Sequence, residues 1–450
     1  MTSQKKIGLR KLLKKTCKPS KIAKKLHSFY HGKIEVVAKC RIKNLNDFSV
    51  WYSPGVASVC YDIYKNPERV YEYTNKWNSV AVVSDGTRIL GLGDIGPEAG
   101  MPVMEGKALL YKYLGGVDAY PICLGTKDEK DIIQTVKILQ PSFGGINLED
   151  ISQPKCFPIL QTLRKECHIP IWHDDQQGTA LVTLAGFINA LKIVEKKINK
   201  VKVAMIGAGA ANVCTAKFLI LYGVNPANIV MTDIYGTLHK ERLDLKLSSE
   251  HWSLITNTNV NDVRGGIKEA MENMDVVIAL SAPGPRVIKK EWIKAMAKNP
   301  IVFTCANPIP EIWPWEAKAA GAVVVATGRS DFPNQVNNSL GFPGVFRGVL
   351  DVRASTITDT MCITAAKELA SCIPDSKIKP NKILPNMNEW EIFPKVAAAV
   401  GIKAIKENIA DRKLNYDKIY ENAKLLIKRS RAITEVMMKK GCIKNAKNKI

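Results

Sequence analysis

Short apolar runs alternate with longer segments of helical spacing along most of the chain. Apolar runs of this length that are rich in Val and Ile are typical of buried strands. Nine such runs are found, at residues 79–83, 117–123, 145–148, 169–172, 201–206, 229–232, 276–280, 301–304 and 322–326. Segments with helical periodicity lie between most of them, for example at 131–139 and 180–194. This alternation predicts an α/β fold in which helices cover parallel sheets.

The pattern also predicts how the chain is divided. Strand signals fade after residue 353, and residues 414–440 have the periodicity of a helix with a basic exposed face. A boundary is expected near residue 176, just before a long helical segment. We therefore expect four parts. They are a lysine-rich arm at 1–33, an N-terminal α/β domain at 34–176, a second α/β domain at 177–354 and a C-terminal helical segment at 355–450.

Composition narrows the class of protein. Hydrophobic residues make up 46% of the 450 residues and charged residues 24%, as in soluble globular proteins. No uninterrupted apolar stretch approaches the roughly 20 residues that cross a bilayer, which argues against an integral membrane protein. The 11 cysteines are scattered and form no C-x-x-C pair. This pattern argues against a disulfide framework or a zinc ribbon and favours a reducing compartment.

The net charge of +23 is concentrated at the two ends of the chain. Residues 1–33 carry +11 and residues 379–450 carry +10, so the remaining 345 residues carry only +2. The central part of the protein therefore has no charge excess that would require a polyanionic partner.

The basic N-terminal segment leaves several interpretations open. Ile7, Leu9, Leu12 and Leu13 stand among lysines, a short amphipathic pattern that suits a membrane surface, a nucleic acid or a targeting peptide. The first 33 residues lack the apolar core of a signal peptide, and their bases are nearly all Lys, whereas organellar transit peptides favour Arg and Ser. We favour a solvated arm or a subunit contact in a cytoplasmic protein over nucleic-acid binding, membrane contact or organellar targeting.

A dinucleotide site is predicted at the start of the second α/β domain. The apolar run 201–206 is followed by Gly207-Ala208-Gly209-Ala210-Ala211-Asn212 and a helical segment. Gly207 allows a tight turn and Gly209 allows a pyrophosphate to approach the backbone amides at the start of the helix. Asn212 departs from the usual Gly or Ala, and we expect it to weaken helix–strand packing slightly. This domain is therefore predicted to be a Rossmann-like, doubly wound parallel sheet that binds NAD(P).

Asp233 bears on the choice between the two nicotinamide cofactors. It ends the next strand, where a carboxylate accepts hydrogen bonds from the ribose 2′-hydroxyl. Its charge would repel the 2′-phosphate of NADP and so favours NAD, although His239 and Lys240 nearby would soften this preference. NAD is the expected cofactor, with NADP as the alternative.

Two acidic pairs follow neighbouring strand-like runs. Glu149-Asp150 comes after 145–148, and Asp174-Asp175 comes one residue after 169–172. Ligands bind beyond the carboxyl ends of parallel strands, so these carboxylates are expected to converge. A hard divalent cation such as Mg²⁺ or Mn²⁺ suits oxygen ligands in this arrangement. Helix N-capping is the alternative role for one acidic pair, but two pairs at strand ends favour a metal.

Two further segments carry weaker signals. The glycine-rich run 91–100 indicates backbone packed close to a ligand, and a helix that carries Lys107 is predicted to start near Met101. Spacing alone gives Lys107 no special role. A second helix is predicted to begin at Tyr52-Ser53-Pro54, with Ser53 as its cap and Tyr52 as a core aromatic.

Six sequence motifs together resemble those of the malic enzyme family in its short, prokaryotic-type form. They are WYSPGVA at 51–57, SDGTRILGLGD at 84–94, MEGK at 104–107, NLED at 147–150, HDDQQGTA at 173–180 and PNQVNN at 333–338. The resemblance runs from about residue 33 to residue 405. It implies that the domain at 34–176 is a catalytic domain. It further implies oxidative decarboxylation of L-malate to pyruvate and CO₂ with a nicotinamide cofactor, a divalent metal and at least a homodimer.

The resemblance also assigns roles to individual residues. Lys107 would accept the proton of the C2 hydroxyl, Tyr52 would protonate C3 of enolpyruvate, and Asp174 would orient the lysine. Burial beside a cation would lower the pKa of Lys107 and fit it for this role. The implied metal ligands are Glu149, Asp150 and Asp175. The implied substrate contacts are Arg88, Asn307, Asn338 and its neighbour Asn337, and Ser281 and Gly284 would line the nicotinamide side of the cofactor.

Other functions remain open at this stage. A malolactic-type relative would retain NAD and return the hydride to make lactate, and decarboxylation of oxaloacetate is a partial reaction of the same site. A third alternative is a catalytically inactive, NAD-binding scaffold whose basic arms contact nucleic acid or membrane. Lys107, Tyr52 and the metal carboxylates are all present, which argues against an inactive scaffold.

Overall fold

Two parallel sheets organise the computed structural model, which describes residues 19–242, 244 and 249–446. The first sheet has four strands in the order β2-β1-β3-β4, all parallel. Its strands are β1 Ser79–Ser84, β2 Asp118–Cys123, β3 Gly145–Leu148 and β4 Ile171–His173. Every residue of β1, β3 and β4 is buried, which explains why they appear in the sequence as continuous apolar runs.

The second sheet has six strands in the order β10-β9-β8-β5-β6-β7. Its strands are β5 Val203–Ile206, β6 Ile229–Asp233, β7 Gly236–Thr237, β8 Val276–Ala279, β9 Ile301–Thr304 and β10 Val324–Thr327. All neighbouring pairs are parallel except β6 and β7, which form a short antiparallel pair. The chain order changes direction between β5 and β8, so the crevice above these two strands is a place where ligands bind in open sheets.

Helices cover both sheets. The longer ones are α1 Val56–Lys65, α2 Pro97–Gly115, α3 Glu129–Leu139, α4 Cys156–Glu166, α5 Thr179–Val194, α6 Ala210–Tyr222, α7 Ser249–Asn257, α8 Ile267–Met271, α9 Lys290–Lys294, α10 Pro314–Ala319, α11 Phe342–Val352, α12 Asp359–Ser371, α13 Ile392–Lys406 and α14 Tyr416–Lys439. Two four-residue helices, Phe48–Trp51 and Val70–Tyr73, precede the first sheet, and residues 19–30 are also helical. A stretch long and apolar enough to span a membrane, Asp174–Val194, is 83% buried inside the protein.

The C-terminal helices return to the first sheet. Helix α11 packs against both α2 and α13, and α14 packs against α2 and α13. A Cβ built on Gly348 would lie 2.3 Å from the carbonyl oxygen of Ala397, so α11 and α13 touch backbone to backbone. Helices α11 and α14 therefore cover one side of α2 and shield it from solvent.

The predicted α/β class is confirmed, and each of the nine apolar runs overlaps a strand. Two helix starts were wrong. Helix α2 begins at Pro97 rather than near Met101, because a proline suits the first turn. The helix predicted at Tyr52-Ser53-Pro54 begins at Val56 with Gly55 at its N-cap, so Ser53 caps no helix there.

The first described helix lies near the end of the described C-terminal segment. Most of the predicted basic amphipathic segment lies at 1–18, outside the described residues, and 19–30 are helical. The Tyr30 hydroxyl donates a hydrogen bond to the carbonyl of Lys444 over 2.7 Å. The predicted basic helix at 414–440 is found as α14.

The close contact at Gly348 yields a prediction. Gly348→Ala should lower the free energy of unfolding by roughly 1–3 kcal/mol, because the added methyl group displaces the backbone of α13. Chemical denaturation would measure the loss. Gly106→Ala on α2 is the matched control, since a Cβ there meets no atom within 4 Å. An equal stability change in the two variants would contradict the packing argument.

Candidate active site

Three carboxylates converge at the carboxyl ends of β3 and β4. Glu149 and Asp150 follow β3, and Asp175 lies in the short turn that follows β4. The two strands pair in parallel, with Leu148 opposite His173. One oxygen from each of the three side chains lies within 4.8 Å of the others. The structure therefore brings the predicted metal ligands together.

The conformation of Asp150 fixes this arrangement. Its φ of 54° is left-handed, which turns its backbone N–H toward Asp175, where it donates to Oδ2 over 2.9 Å. Its carbonyl accepts a hydrogen bond from the backbone N–H of Arg88 over 2.9 Å. Asp150 Oδ2 is buried and has no hydrogen-bond partner among the residues described. A buried oxygen of this kind is costly unless a cation binds it.

The electrostatics of the cluster fit a divalent cation. Burial raises the pKa of Glu149 well above its ordinary value, and burial together with Asp175 raises the pKa of Asp150 to about 8. The cause is that charged carboxylates crowd one another away from water. A hard cation relieves this crowding, and oxygen ligands alone are what Mg²⁺ and Mn²⁺ prefer. The donor set therefore fits the predicted metal.

Lys107 lies against the same carboxylates. Helix α2 directs its buried side chain inward, where Nζ is 2.5 Å from Asp174 Oδ2 and 3.0 Å from Glu149 Oε1. The ring of Phe342, at the start of α11, lies 4.5 Å from Nζ. Burial favours a low pKa, but Asp174 and Glu149 outweigh it and raise the pKa of Lys107. The expected lowering of this pKa depended on a cation beside the lysine, and the protein groups alone favour its protonated form.

Buried neighbours that the sequence did not single out hold these groups in place. The indole N–H of Trp172 donates to Asp174 Oδ1 over 2.9 Å. Asn147 donates to Glu149 Oε2 over 2.9 Å, and the Tyr111 hydroxyl donates to Asn147 Oδ1 over 2.8 Å. In the sequence these side chains look like ordinary core residues. The one available signal was a polar Asn147 within a buried strand.

The glycine turn after β5 has the geometry of a phosphate site. Gly207 has a φ of 96°, and a Cβ there would lie 2.7 Å from the carbonyl oxygen of Leu280. Gly209 is the N-cap of α6, whose first turn begins with Ala210 and Ala211, and nothing lies within 4 Å of a Cβ built on Gly209. Backbone amides at such a helix start are free to face an anion.

Asn212 corrects one expectation. Its side chain is fully buried, and its amide donates to the carbonyls of Ile206 over 3.0 Å and Gly207 over 2.8 Å. These bonds tie α6 to the end of β5. The expected weakening of helix–strand packing is therefore wrong. The two hydrogen bonds from the Asn212 amide hold α6 against β5 in place of the close contact that a Gly or Ala would allow.

Asp233 ends β6 and is paired with a residue that sequence reasoning missed. Arg242 Nη2 lies 2.6 Å from Asp233 Oδ2 and 2.8 Å from Asp244 Oδ2. Nothing in the sequence pattern indicated that Arg242 pairs with Asp233, because nine residues separate the two. A cavity of about 980 Å³ joins this pair to the glycine turn. Its lining includes Arg88, Gly207, Gly209, Asp233, Arg242 and Ser281.

The predicted substrate residues fall into different environments. Arg88 is exposed and lines the cavity just described. The backbone of Asn307 packs against Gly91, and its amide nitrogen packs against Gly328. Asn338 lies beside Gly178, next to Asp174. The side chain of Asn337 forms hydrogen bonds to the backbone: it accepts from Ser339 N over 3.0 Å and donates to Gly328 O over 3.2 Å.

Comparison with known proteins decides the family. The model described as "Malic enzyme, N-terminal domain" matches residues 31–164, and the model described as "Malic enzyme, NAD binding domain" matches residues 176–408. The chain belongs to the malic enzyme family. It is accordingly a malic enzyme that oxidises and decarboxylates malate with a nicotinamide cofactor.

Three relatives illustrate how far the similarity extends. The bifunctional malic/malolactic enzyme of Bacillus subtilis (strain 168) is 46% identical over 401 residues, which are 89% of this chain and 97% of that protein. The NAD-dependent malic enzyme of Geobacillus stearothermophilus is 48% identical over 380 residues, or 84% and 78% of the two chains. The crystal structure of Entamoeba histolytica malic enzyme has a TM-score of 0.94 at 46% identity and covers 99% of this chain and 92% of that one.

Tyr52 is the family-motif residue that stands apart. Its side chain is 73% exposed, between Trp51 and the turn that precedes α1. Among the described residues, no recorded hydrogen bond or ion pair links residues 44–60 to Lys107, Asp174 or the three carboxylates. Within the described residues of the single chain, Tyr52 is therefore solvent-exposed and not bonded to the carboxylate cluster.

The carboxylate cluster yields a prediction about metal binding. Because a cation must displace the proton that Asp150 holds below pH 8, the affinity for Mn²⁺ should rise as the pH is raised toward 8 and fall as it is lowered. Asp150→Asn should lower the affinity by at least about tenfold at every pH and flatten this dependence. Electron paramagnetic resonance of free Mn²⁺ at several pH values would measure both.

The control for this titration is Glu166→Gln, which removes an exposed carboxylate paired with Lys137. It should leave Mn²⁺ binding as in the wild type. Tight, pH-independent binding in Asp150→Asn would show that the cation binds elsewhere.

Proposed function

We propose that this malic enzyme converts L-malate to pyruvate and CO₂ and releases the reduced cofactor, with Lys107 as the base. The observation that carries the proposal is the position of Lys107, whose Nζ lies 3.0 Å from Glu149 within the carboxylate cluster. Arg88 connects this cluster to the cofactor cleft, because its backbone donates to Asp150 while the residue also lines the cavity at Gly207.

Each side chain has a defined task in this reaction. Glu149, Asp150 and Asp175 would hold a divalent cation, which supplies Lewis acidity toward the oxygens of the substrate. The crevice at Gly207 would hold the nicotinamide cofactor, which supplies the hydride acceptor for C2. Arg88 is suited to pair with a substrate carboxylate through its planar fork. Asn307 and Asn338 would donate hydrogen bonds to the same diacid.

Proton transfers complete the scheme. Lys107 first releases its own proton to solvent, and it then takes the proton of the C2 hydroxyl as the hydride leaves C2 for the nicotinamide. Asp174 holds Nζ in place through the 2.5 Å contact. The C3–C4 bond of the resulting keto acid breaks and CO₂ leaves. Tyr52 would donate a proton to C3, which gives pyruvate.

The residues around Asp233 support NAD as the preferred cofactor. Two carboxylates, Asp233 and Asp244, share one guanidinium, that of Arg242, so the group has a net negative charge. A 2′-phosphate would meet this charge, whereas a 2′-hydroxyl can donate to Asp233. His239 and Arg242 line the same cavity, so these two basic side chains are the groups that would soften this preference.

A malolactic outcome is the second candidate, because the Bacillus subtilis relative is named a bifunctional malic/malolactic enzyme. The two outcomes differ in product. One assay separates them: L-malate and Mn²⁺ are supplied with NAD or NADP in turn, the reduced cofactor is followed by absorbance, and pyruvate and lactate are quantified. We expect pyruvate and free NADH in equal amounts, with slower turnover on NADP. Lactate without free NADH would favour the malolactic reaction.

Lys107 provides the sharpest test of the mechanism. Lys107→Ala should keep its fold and its affinity for NAD but lose at least about 10²-fold in kcat for malate oxidation, because the C2 proton has no acceptor. Lys112→Ala is the control, since that lysine lies on the same helix and pairs with Asp118 at the surface. Near-normal turnover in Lys107→Ala would remove this residue from the mechanism.

We further propose that the protein is a homodimer. Residues 34–64 expose many large apolar side chains, far more than a monomer surface of this size usually carries. They include Val36 at 87%, Leu45 at 82%, Tyr52 at 73% and Tyr64 at 81% exposure. A second copy of the chain is the occupant that suits such a surface, and it would place Tyr52 at a subunit contact.

The dimer proposal has two measurable consequences. Leu45→Glu together with Val50→Glu should shift the sedimentation coefficient to that of the monomer, whereas Leu425→Glu, on the exposed side of α14, should not. Mixed subunits of Tyr52→Phe and Lys107→Ala should regain about a quarter of wild-type turnover if Tyr52 serves the partner's site. A dimer that persists in the double variant would contradict this interface.

A further inference from the structure

Glu311 is a buried carboxyl group outside the site described so far. It lies in the loop between β9 and α10, and its side chain is fully buried. No Lys, Arg or His is recorded as its ion-pair partner within the part of the chain that the structure describes. A carboxyl group buried without a cation is costly, so its hydrogen bonds must compensate.

Those hydrogen bonds join two loops. Oε1 accepts from the backbone N–H of Ser281 over 2.9 Å and from its hydroxyl over 3.2 Å. Oε2 accepts from the backbone N–H of Ala306 over 3.1 Å. Ser281 lies in the loop after β8, and Ala306 lies in the loop after β9. A single side chain therefore ties together the ends of two neighbouring strands.

The Ser281 loop lines the cofactor cleft, and the loop that holds Ala306 packs against the glycine-rich segment 91–100. The Ser281 loop packs on the glycine turn, since a Cβ on Gly207 would lie 3.2 Å from Ser281 Cα. Ala306 is followed by Asn307, whose carbonyl oxygen would lie 2.2 Å from a Cβ on Gly91. A Cβ built on Gly91 would also lie 3.1 Å from Cγ of Pro283, which belongs to the Ser281 loop. The glycine-rich segment of the first sheet's domain thus packs against both loops at once.

We propose that Glu311 is a positioning residue that holds these two loops together, so that Ser281 and Asn307 face the cofactor and malate in one fixed arrangement. The inference rests on the proposed function, which places the nicotinamide end of the cofactor at the Ser281 loop. Glu311 acts through the backbone of both loops and does not touch the reacting atoms.

The proton occupancy of Glu311 gives the role a pH dependence. Burial raises the pKa of this carboxyl to about 7, against the opposing effect of the Ser281 and Ala306 hydrogen bonds. The one other titratable group recorded as facing it is the thiol of Cys305, whose own pKa burial raises, so it stays neutral. Protonation of the Glu311 carboxyl turns one oxygen that accepts a hydrogen bond into a hydroxyl group. That hydroxyl is itself a donor and faces a backbone N–H donor. Cofactor binding should therefore weaken as the pH falls below 7.

The test compares Glu311→Gln with the wild type and with Glu316→Gln. Glu316→Gln makes the same substitution five residues away, on α10. The native Glu316 side chain pairs there with Lys290. Glu311→Gln places an amide N–H₂ against a backbone N–H and should raise the Kd for NAD about tenfold. The KM for malate should rise with it while kcat changes much less. Glu316→Gln should match the wild type.

Two readouts separate positioning from general stability. Hydrogen–deuterium exchange on the nucleotide-free protein should be faster in Glu311→Gln at 280–288 and 304–312 and unchanged in the other strands. The Kd for NAD in the wild type should rise between pH 7.5 and pH 6, and this rise should be absent in Glu311→Gln.

Defined results would overturn the inference. Unchanged exchange and an unchanged Kd in Glu311→Gln would show that the tie is unnecessary. Faster exchange throughout the second sheet would show a general structural role instead. A wild type that binds NAD but produces no pyruvate would contradict the proposed function and leave the exchange result to decide on Glu311.

Discussion

The crowding of negative charge at the ends of β3 and β4 is the constraint on which the rest of the site depends. Glu149, Asp150 and Asp174 are almost fully buried, where unbalanced charge is costly. Lys107 balances part of it, and a divalent cation would balance the remainder. The hydrogen bonds from Trp172 and Asn147, both from within strands, hold the carboxylates in this position rather than letting them turn toward water.

Three distant parts of the chain build this one cluster. Helix α2 supplies Lys107, the strand ends supply the acids, and the start of α11 supplies the ring of Phe342 beside the lysine. The close contact between α11 and α13 at Gly348 fixes the position of α11, the helix that begins with Phe342. The C-terminal helices therefore belong to the environment of Lys107, although they carry none of the family motifs at its centre.

Sequence patterns predicted the sheets well because buried parallel strands are apolar on both faces and therefore stand out. Convergence of Glu149, Asp150 and Asp175 could also be predicted, since strand ends share one edge. Arg242 and Glu311 could not, because their partners are defined only once loops fold against each other. Asn212 was misjudged because the pattern describes side-chain size, whereas the structure uses its amide. The raised pKa of Lys107 depends on three carboxylates whose distances no spacing reveals.

The left-handed turn at Asp150 has a consequence for how ligands influence one another. Its carbonyl accepts from the backbone N–H of Arg88 and its side chain accepts from Leu90 N over 3.4 Å, so this one residue joins the proposed cation site to the backbone of the proposed substrate arginine. If the diacid binds Arg88 and a cation binds Asp150, as proposed, a shift of Arg88 on substrate binding would be transmitted to the cation ligand. Thermodynamic linkage would then make the effect reciprocal, so that occupancy of either site would change the affinity of the other by the same factor.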